Sequence, residues 1–172
     1  MEISRVVERI KESDAFKNWN SEGYYLAHFF KMMDEANADS WQVGYFNPET
    51  ENMVTFIMEG NDVSLIEDAE VFKKPDTTIK EMDFDAIKVG WQASLEKAHE
   101  HLKENYGQET LIKTFFILQN LPMGVVYNIT FLTKSFNTIN LKISATSSNI
   151  LQQSKESLMD MARFEKGEKG QH

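Results

Sequence analysis

The chain has 172 residues, 18 basic against 27 acidic side chains, and a formal charge of −9. It holds no cysteine, which excludes disulfides, thiolate metal sites, Fe–S clusters and thiol nucleophiles. With 41% hydrophobic and 12% aromatic residues it can build one globular domain or two small lobes sharing a core, and its acidity argues against nucleic acid or an anionic membrane surface as a partner.

Ile3, Val6, Val7 and Ile10 recur at helical spacing with charged residues between them, which predicts an N-terminal amphipathic helix. Ser13 and Asp14 can cap a further short helix carrying Ala15, Phe16 and Trp19. From Tyr24 to Met33 both parities are largely apolar, the pattern of a central strand covered on both faces. Trp41, Val43 and Tyr45, then Val54, Phe56 and Met58, alternate as two strands of a hairpin around the loop 47–52. Val63 to Phe72 reads as a weak, acidic edge strand.

The second half repeats this pattern. Asp83 or Asp85 is expected to cap a helix whose stripe runs Ile87, Trp91, Leu95, Ala98, Leu102 and Tyr106, with Gly107 in the left-handed position after its last turn. Leu111 to Gln119 is again apolar on both parities. Val125–Phe131 and Ile139–Ala145 alternate as a hairpin, and a short strand near Ile150 and a helix over 158–164 follow. The expected fold class is therefore α+β: two similar lobes over 1–80 and 81–164, each a helix packed on antiparallel strands, forming a helix-backed sheet, with a disordered tail at 165–172.

Chemical motifs are sparse. His99 and His101 are two apart on a helix and point about 200° from each other, so they cannot share a metal. His28 sits inside an apolar strand, where a hydrogen-bonded core residue and a ligand-contacting or pH-responsive one are the alternatives. No nucleophile elbow, phosphate loop or cation loop occurs, so the expectation is a protein that is not an enzyme, with no cofactor and no metal. The strand aromatics Trp41, Tyr45, Phe56, Phe115, Tyr127 and Phe131 either form the core under the helices or line a second sheet face, with Met32, Met33, Met53, Met58 and Met82 as soft additions. Residues 59–85 carry nine carboxylates against three lysines, −6 of the total charge, which either solubilises an edge or steers a basic partner.

The helix at 85–106, the strand Val126-Tyr127-Asn128-Ile129-Thr130-Phe131 and the segment Leu141-Lys142-Ile143-Ser144-Ala145-Thr146-Ser147-Ser148-Asn149-Ile150 resemble a PepSY-like domain. Ser144-Ala145 replaces that pattern's Asp-Ala, and Ser148-Asn149 its Gly, with Asn149 expected to take the left-handed conformation. Trp41–Phe46 and Val54–Met58 offer a matching first copy, so the whole chain is similar to a tandem arrangement like that of β-lactamase inhibitor proteins. The resemblance implies inhibition, regulation or binding, with no catalytic residues.

The expected function is a non-enzymatic, inhibitor-like or regulatory module that binds a protein partner, or a second copy, through an exposed sheet face and an acidic edge. Trp41, Tyr45, Phe56, His28, Tyr127, Glu67, Asp68 and Glu70 are its candidate contacts. The alternative is a cup of cystatin-like or NTF2-like type for a small apolar ligand. No stretch approaches the roughly 18 apolar residues of a membrane span. The charged N-terminus has no signal-peptide core, which predicts a cytoplasmic chain, although removal of a signal peptide would leave the same pattern and an extracytoplasmic place.

Overall fold

The computed structural model describes residues 1–69 and 78–169, apart from the side chains of 68, 69 and 164–169. Eight antiparallel strands form one continuous sheet: β1 Tyr25–Met32, β2 Ser40–Asn47, β3 Asn52–Glu59, β4 Asp62–Ala69, β5 Leu111–Leu121, β6 Gly124–Thr133, β7 Asn137–Ser144 and β8 Ile150–Ser157, in the spatial order β4-β3-β2-β1-β5-β6-β7-β8. The helices are α1 Ile3–Glu12, α2 Asp14–Lys17, α3 Trp91–Asn105 and α4 Leu158–Lys169. Helix followed by four strands thus occurs twice, and the strand order mirrors itself about the β1–β5 seam. The fold is α+β as the patterns predict, but the sheet is unbroken and one apolar cluster draws on both halves.

Helices α1, α2 and α3 supply residues to that cluster on one face of the sheet. Val6 and Ile10 of α1 are fully buried, each worth about 1.5–3 kcal/mol in water-excluded apolar surface. Ser13 accepts the amide of Phe16 at 3.2 Å, capping α2 as its sequence suggests. Phe16 and Trp19 then pack with Tyr45 and Phe56, ring centroids 5.2–5.6 Å apart.

α3 starts later than the periodicity implies. Asp83 caps only a single 3-10 turn, Phe84–Ala86, by accepting the amide of Asp85. The chain then runs extended, because the amides of Lys88 and Val89 both donate to the Ala145 carbonyl at 2.9 Å, and Gly90 begins α3 without a side-chain cap. Gly107 is not left-handed; a Cβ there would lie 2.7 Å from the Lys103 carbonyl oxygen, so close approach is what requires glycine. Between β7 and β8 the left-handed residue is Ser148, φ 66°, not Asn149. Its turn is held by the Ser144 hydroxyl, which accepts the amides of Thr146 and Ser147.

The edge strand expected over 63–72 is β4, described as far as Ala69; Glu70 and Phe72 lie outside the described residues. The tail expected from 165 is helical as far as Lys169.

Glu109, in the α3–β5 connection, ties down edge strand β8. Its carboxylate accepts Lys155 Nζ at 2.6 Å and Asn137 Nδ2 at 3.1 Å, and Lys155 also lies over the Tyr106 ring. The Lys155 hydrogen bond foremost holds the carboxyl well below its ordinary 4.5, at about 2. A depressed carboxylate stabilises the fold above its unfolded pKa, and that stability disappears as pH falls through its folded value. Acid unfolding followed by circular dichroism should therefore steepen between about pH 4.5 and 2, and Glu109→Gln should lower the Tm at neutral pH while flattening that interval.

Candidate binding face

The two faces of the sheet follow from strand alternation and register. On the helix side, one row runs Leu65, Phe56, Val43, Phe29, Leu118, Tyr127 and Ile143. These are core residues: Phe56, Phe29 and Tyr127 have no exposed surface. The opposite parity makes three rows on the other face. The first holds Ile66, Thr55, Gly44, His28 and Gln119; the second Ser64, Ile57, Gln42, Phe30, Ile117, Asn128, Lys142 and Gln152; the third Met32, Phe115, Thr130, Asn140 and Ser154.

The centre of that face is apolar and half-exposed. Phe30 and Phe115 sit 6.4 Å apart, beside Ile117, Ile57 and Met32. Amides and hydroxyls surround it. Asn140 donates to Asn128 at 2.6 Å and to Thr130 at 2.8 Å, and Lys142 donates to Asn140 at 3.2 Å. One corner is closed: Ala27, Phe46 and Met53 are buried with Tyr25 and Ile79, and the Tyr25 hydroxyl donates to the Ile79 carbonyl at 2.6 Å. The chain passes from there to the helix side, where Met82 donates its amide to Leu26 at 2.8 Å.

The residues expected to make contacts are distributed differently. Trp41, Tyr45, Phe56 and Tyr127 are all buried on the helix side, between 0% and 6% exposed. Burial pushes the Tyr45 phenol up to about 12. Tyr127 is raised to about 12 by burial first and the Glu2 charge second, and it donates to the Val89 carbonyl at 2.5 Å. Glu67 is exposed on β4, the Asp68 side chain is among those not described, and Glu70 lies outside the described residues. Of the six strand aromatics, Phe115 alone reaches the open face. Met53, Met58 and Met82 are buried, whereas Met32 and Met33 are half-buried. Phe30, Ile57 and Ile117 were not singled out from sequence. Their signal was the second parity of the doubly apolar strands, which marks a face without naming its occupants.

His28 belongs to the open face. Its imidazole lies over Gly44, so closely that a Cβ at 44 would fall 2.2 Å from its Cε1. The sheet therefore admits only glycine there, and burial lowers the imidazole pKa below its ordinary value. Among the described residues no group of three or more His, Asp or Glu side chains is placed to hold a metal ion.

No family model matches the chain, and no curated protein sequence matches it. Among solved structures it is similar to a crystal structure of a putative lipoprotein from Clostridium difficile 630, with a TM-score of 0.58 and 16% identity over 91% of this chain and 93% of that one. At this identity the likeness concerns the fold. Among the described residues no helix is long and apolar enough to cross a membrane.

Two outcomes follow from His28. Gly44→Ala should cost about 1–3 kcal/mol by overpacking, and His28→Ala should recover much of that loss in the double variant, measured by urea unfolding. The unfolded chain takes up the imidazole proton before the folded one does. Stability should therefore fall as pH drops below 6.5, and His28→Gln should flatten that slope, with His99, also lowered by burial, accounting for a remainder.

Proposed function

We propose that the protein is a non-enzymatic binding module, inhibitor-like or regulatory, that docks a protein partner on the open sheet face. The observation that carries this is the half-exposed cluster of Phe30, Phe115, Ile117, Ile57 and Met32 at the centre of a face that none of α1, α2 or α3 covers. Aromatic anchors ringed by hydrogen-bonding amides are the composition of an interface centre with its rim. Asp62 and Glu67 on β4 lend the neighbouring edge a negative charge that accelerates encounter with a basic partner.

The repeated helix-plus-four-strand order supports a tandem PepSY-like pair whose two units share this face. Sharing a fold with a putative lipoprotein supports an extracytoplasmic place over a cytoplasmic one.

A photo-reactive phenylalanine analogue at position 115 should give a covalent adduct with another protein in the source cell, whereas one at Glu100, on the wet side of α3, should not. Phe30→Lys combined with Ile117→Lys should abolish capture by the probe at position 115 while leaving the circular dichroism spectrum unchanged. Equal adduct yield from positions 115 and 100, or undiminished capture by the folded double variant, would refute the assignment of this face.

A further inference from the structure

A cleft of about 600 Å³ opens on the helix side, where the N-terminal half of α3 crosses the end of β1 and the start of β5. Its volume lies in the range of small-molecule sites, roughly 300–1,000 Å³. Met32, Met33, Leu95, Leu111 and Ile112 make aliphatic walls beside the Trp91 indole. Met32, at the end of β1, borders both this cleft and the open face, whereas Phe30, Phe115, Ile117 and Ile57 of the docking cluster do not line it.

The polar groups of the cleft decide what can enter. Lys31 is buried in it, but its ammonium is already committed to three backbone carbonyls, Asn37 at 2.9 Å, Ala38 at 2.6 Å and Ser40 at 3.1 Å. An ammonium has three donors, so none is left to hold an anion inside. At the rim stand two carboxylates, Asp34 and Glu35, against one amine, Lys113; the lining also includes the His99 imidazole, its pKa lowered by burial, and the buried Thr114. An acidic head would find no free ammonium inside and would face two carboxylates against one amine at the water-exposed rim, the Lys31 charge being held inward by its carbonyls.

We propose that this cleft binds a single-chain aliphatic amphiphile with an ammonium head, its alkyl chain lying between Met33, Trp91, Leu95 and Leu111 and its head against Asp34 and Glu35. Flexible methionine and leucine side chains suit an unbranched chain better than a rigid ring system. The head stays in water at the rim, so its charge need not be desolvated.

The test is a titration of the protein with monomeric alkyltrimethylammonium ions from hexyl to dodecyl, read by calorimetry and by Trp fluorescence. One ligand per chain should bind, about fourfold more tightly for each added methylene until the cleft is full, after which the gain stops. Alkyl sulfates of equal length should bind more weakly, and Glu35→Lys should reverse that order. Leu95→Arg should abolish saturable binding; Ile112→Lys, at a position already 47% exposed, should weaken it without threatening the fold. Phe30→Lys, on the opposite face, should change nothing. Absence of a chain-length dependence, several ions bound per chain, sulfates binding as tightly as ammonium ions, or unchanged binding in folded Ile112→Lys would each overturn the proposal.

Discussion

The antiparallel pairing of β1 with β5 joins the first four strands to the last four, and its register, from His28 opposite Gln119 to Met32 opposite Phe115, determines which side chains share each face. Because side chains alternate with a period of two, a slip of one residue on one strand would carry Phe29 or Phe116 out of the core and set Phe30 or Phe115 in its place. The seam tolerates only one choice, since Phe29 and Phe116 are completely enclosed under the helices. The apolar patch on the open face is thus a by-product of the same register. The two central strands carry apolar residues on this side as well, Phe30 and Met32 on β1 and Phe115 and Ile117 on β5, and none of α1, α2 or α3 covers them.

Polar groups placed within this apolar frame show how strictly it is satisfied. Lys31 shares the core parity with Phe29, yet its ammonium is folded into a turn of backbone carbonyls and lies 5.1 Å from the Trp41 ring. The charge thereby stabilises the 34–39 connection that a core leucine would leave unsatisfied. His28 faces the other way and is accommodated by subtraction, through the side chain that Gly44 lacks. Both are exceptions to simple alternation, and each is matched by a specific neighbour.

Much of the architecture was legible because it rests on short-range patterns. The alternation of Ile139, Leu141 and Ile143 and the helical stripe of Ile3, Val6 and Ile10 each correspond to an element buried on the expected side. The start of α3 was not legible, because the carbonyl that holds Lys88 and Val89 extended belongs to Ala145, far along the chain. The choice of contact residues suffered for a related reason. Trp41, Tyr45, Phe56 and Tyr127 are conspicuous as large aromatics, but alternation alone does not say which parity the helices will cover. That information lies in how α1 and α3 pack, and it places the quieter Phe30, Ile57 and Ile117 outward.

The mirror order of the strands has a consequence for how the chain reaches its structure. Within each half every strand pairs with its neighbour in sequence through a short connection, so those ladders close with little loss of chain entropy. The seam is different in kind: its partners lie about 90 positions apart, and bringing them together means closing a loop that contains β2, β3, β4 and α3. Such a topology separates local zippering from one long-range docking step. Until that step is complete, β1 and β5 both present unpaired backbone edges of apolar sequence, so the strands that end at the centre of the sheet are those most exposed to mispairing while the chain assembles.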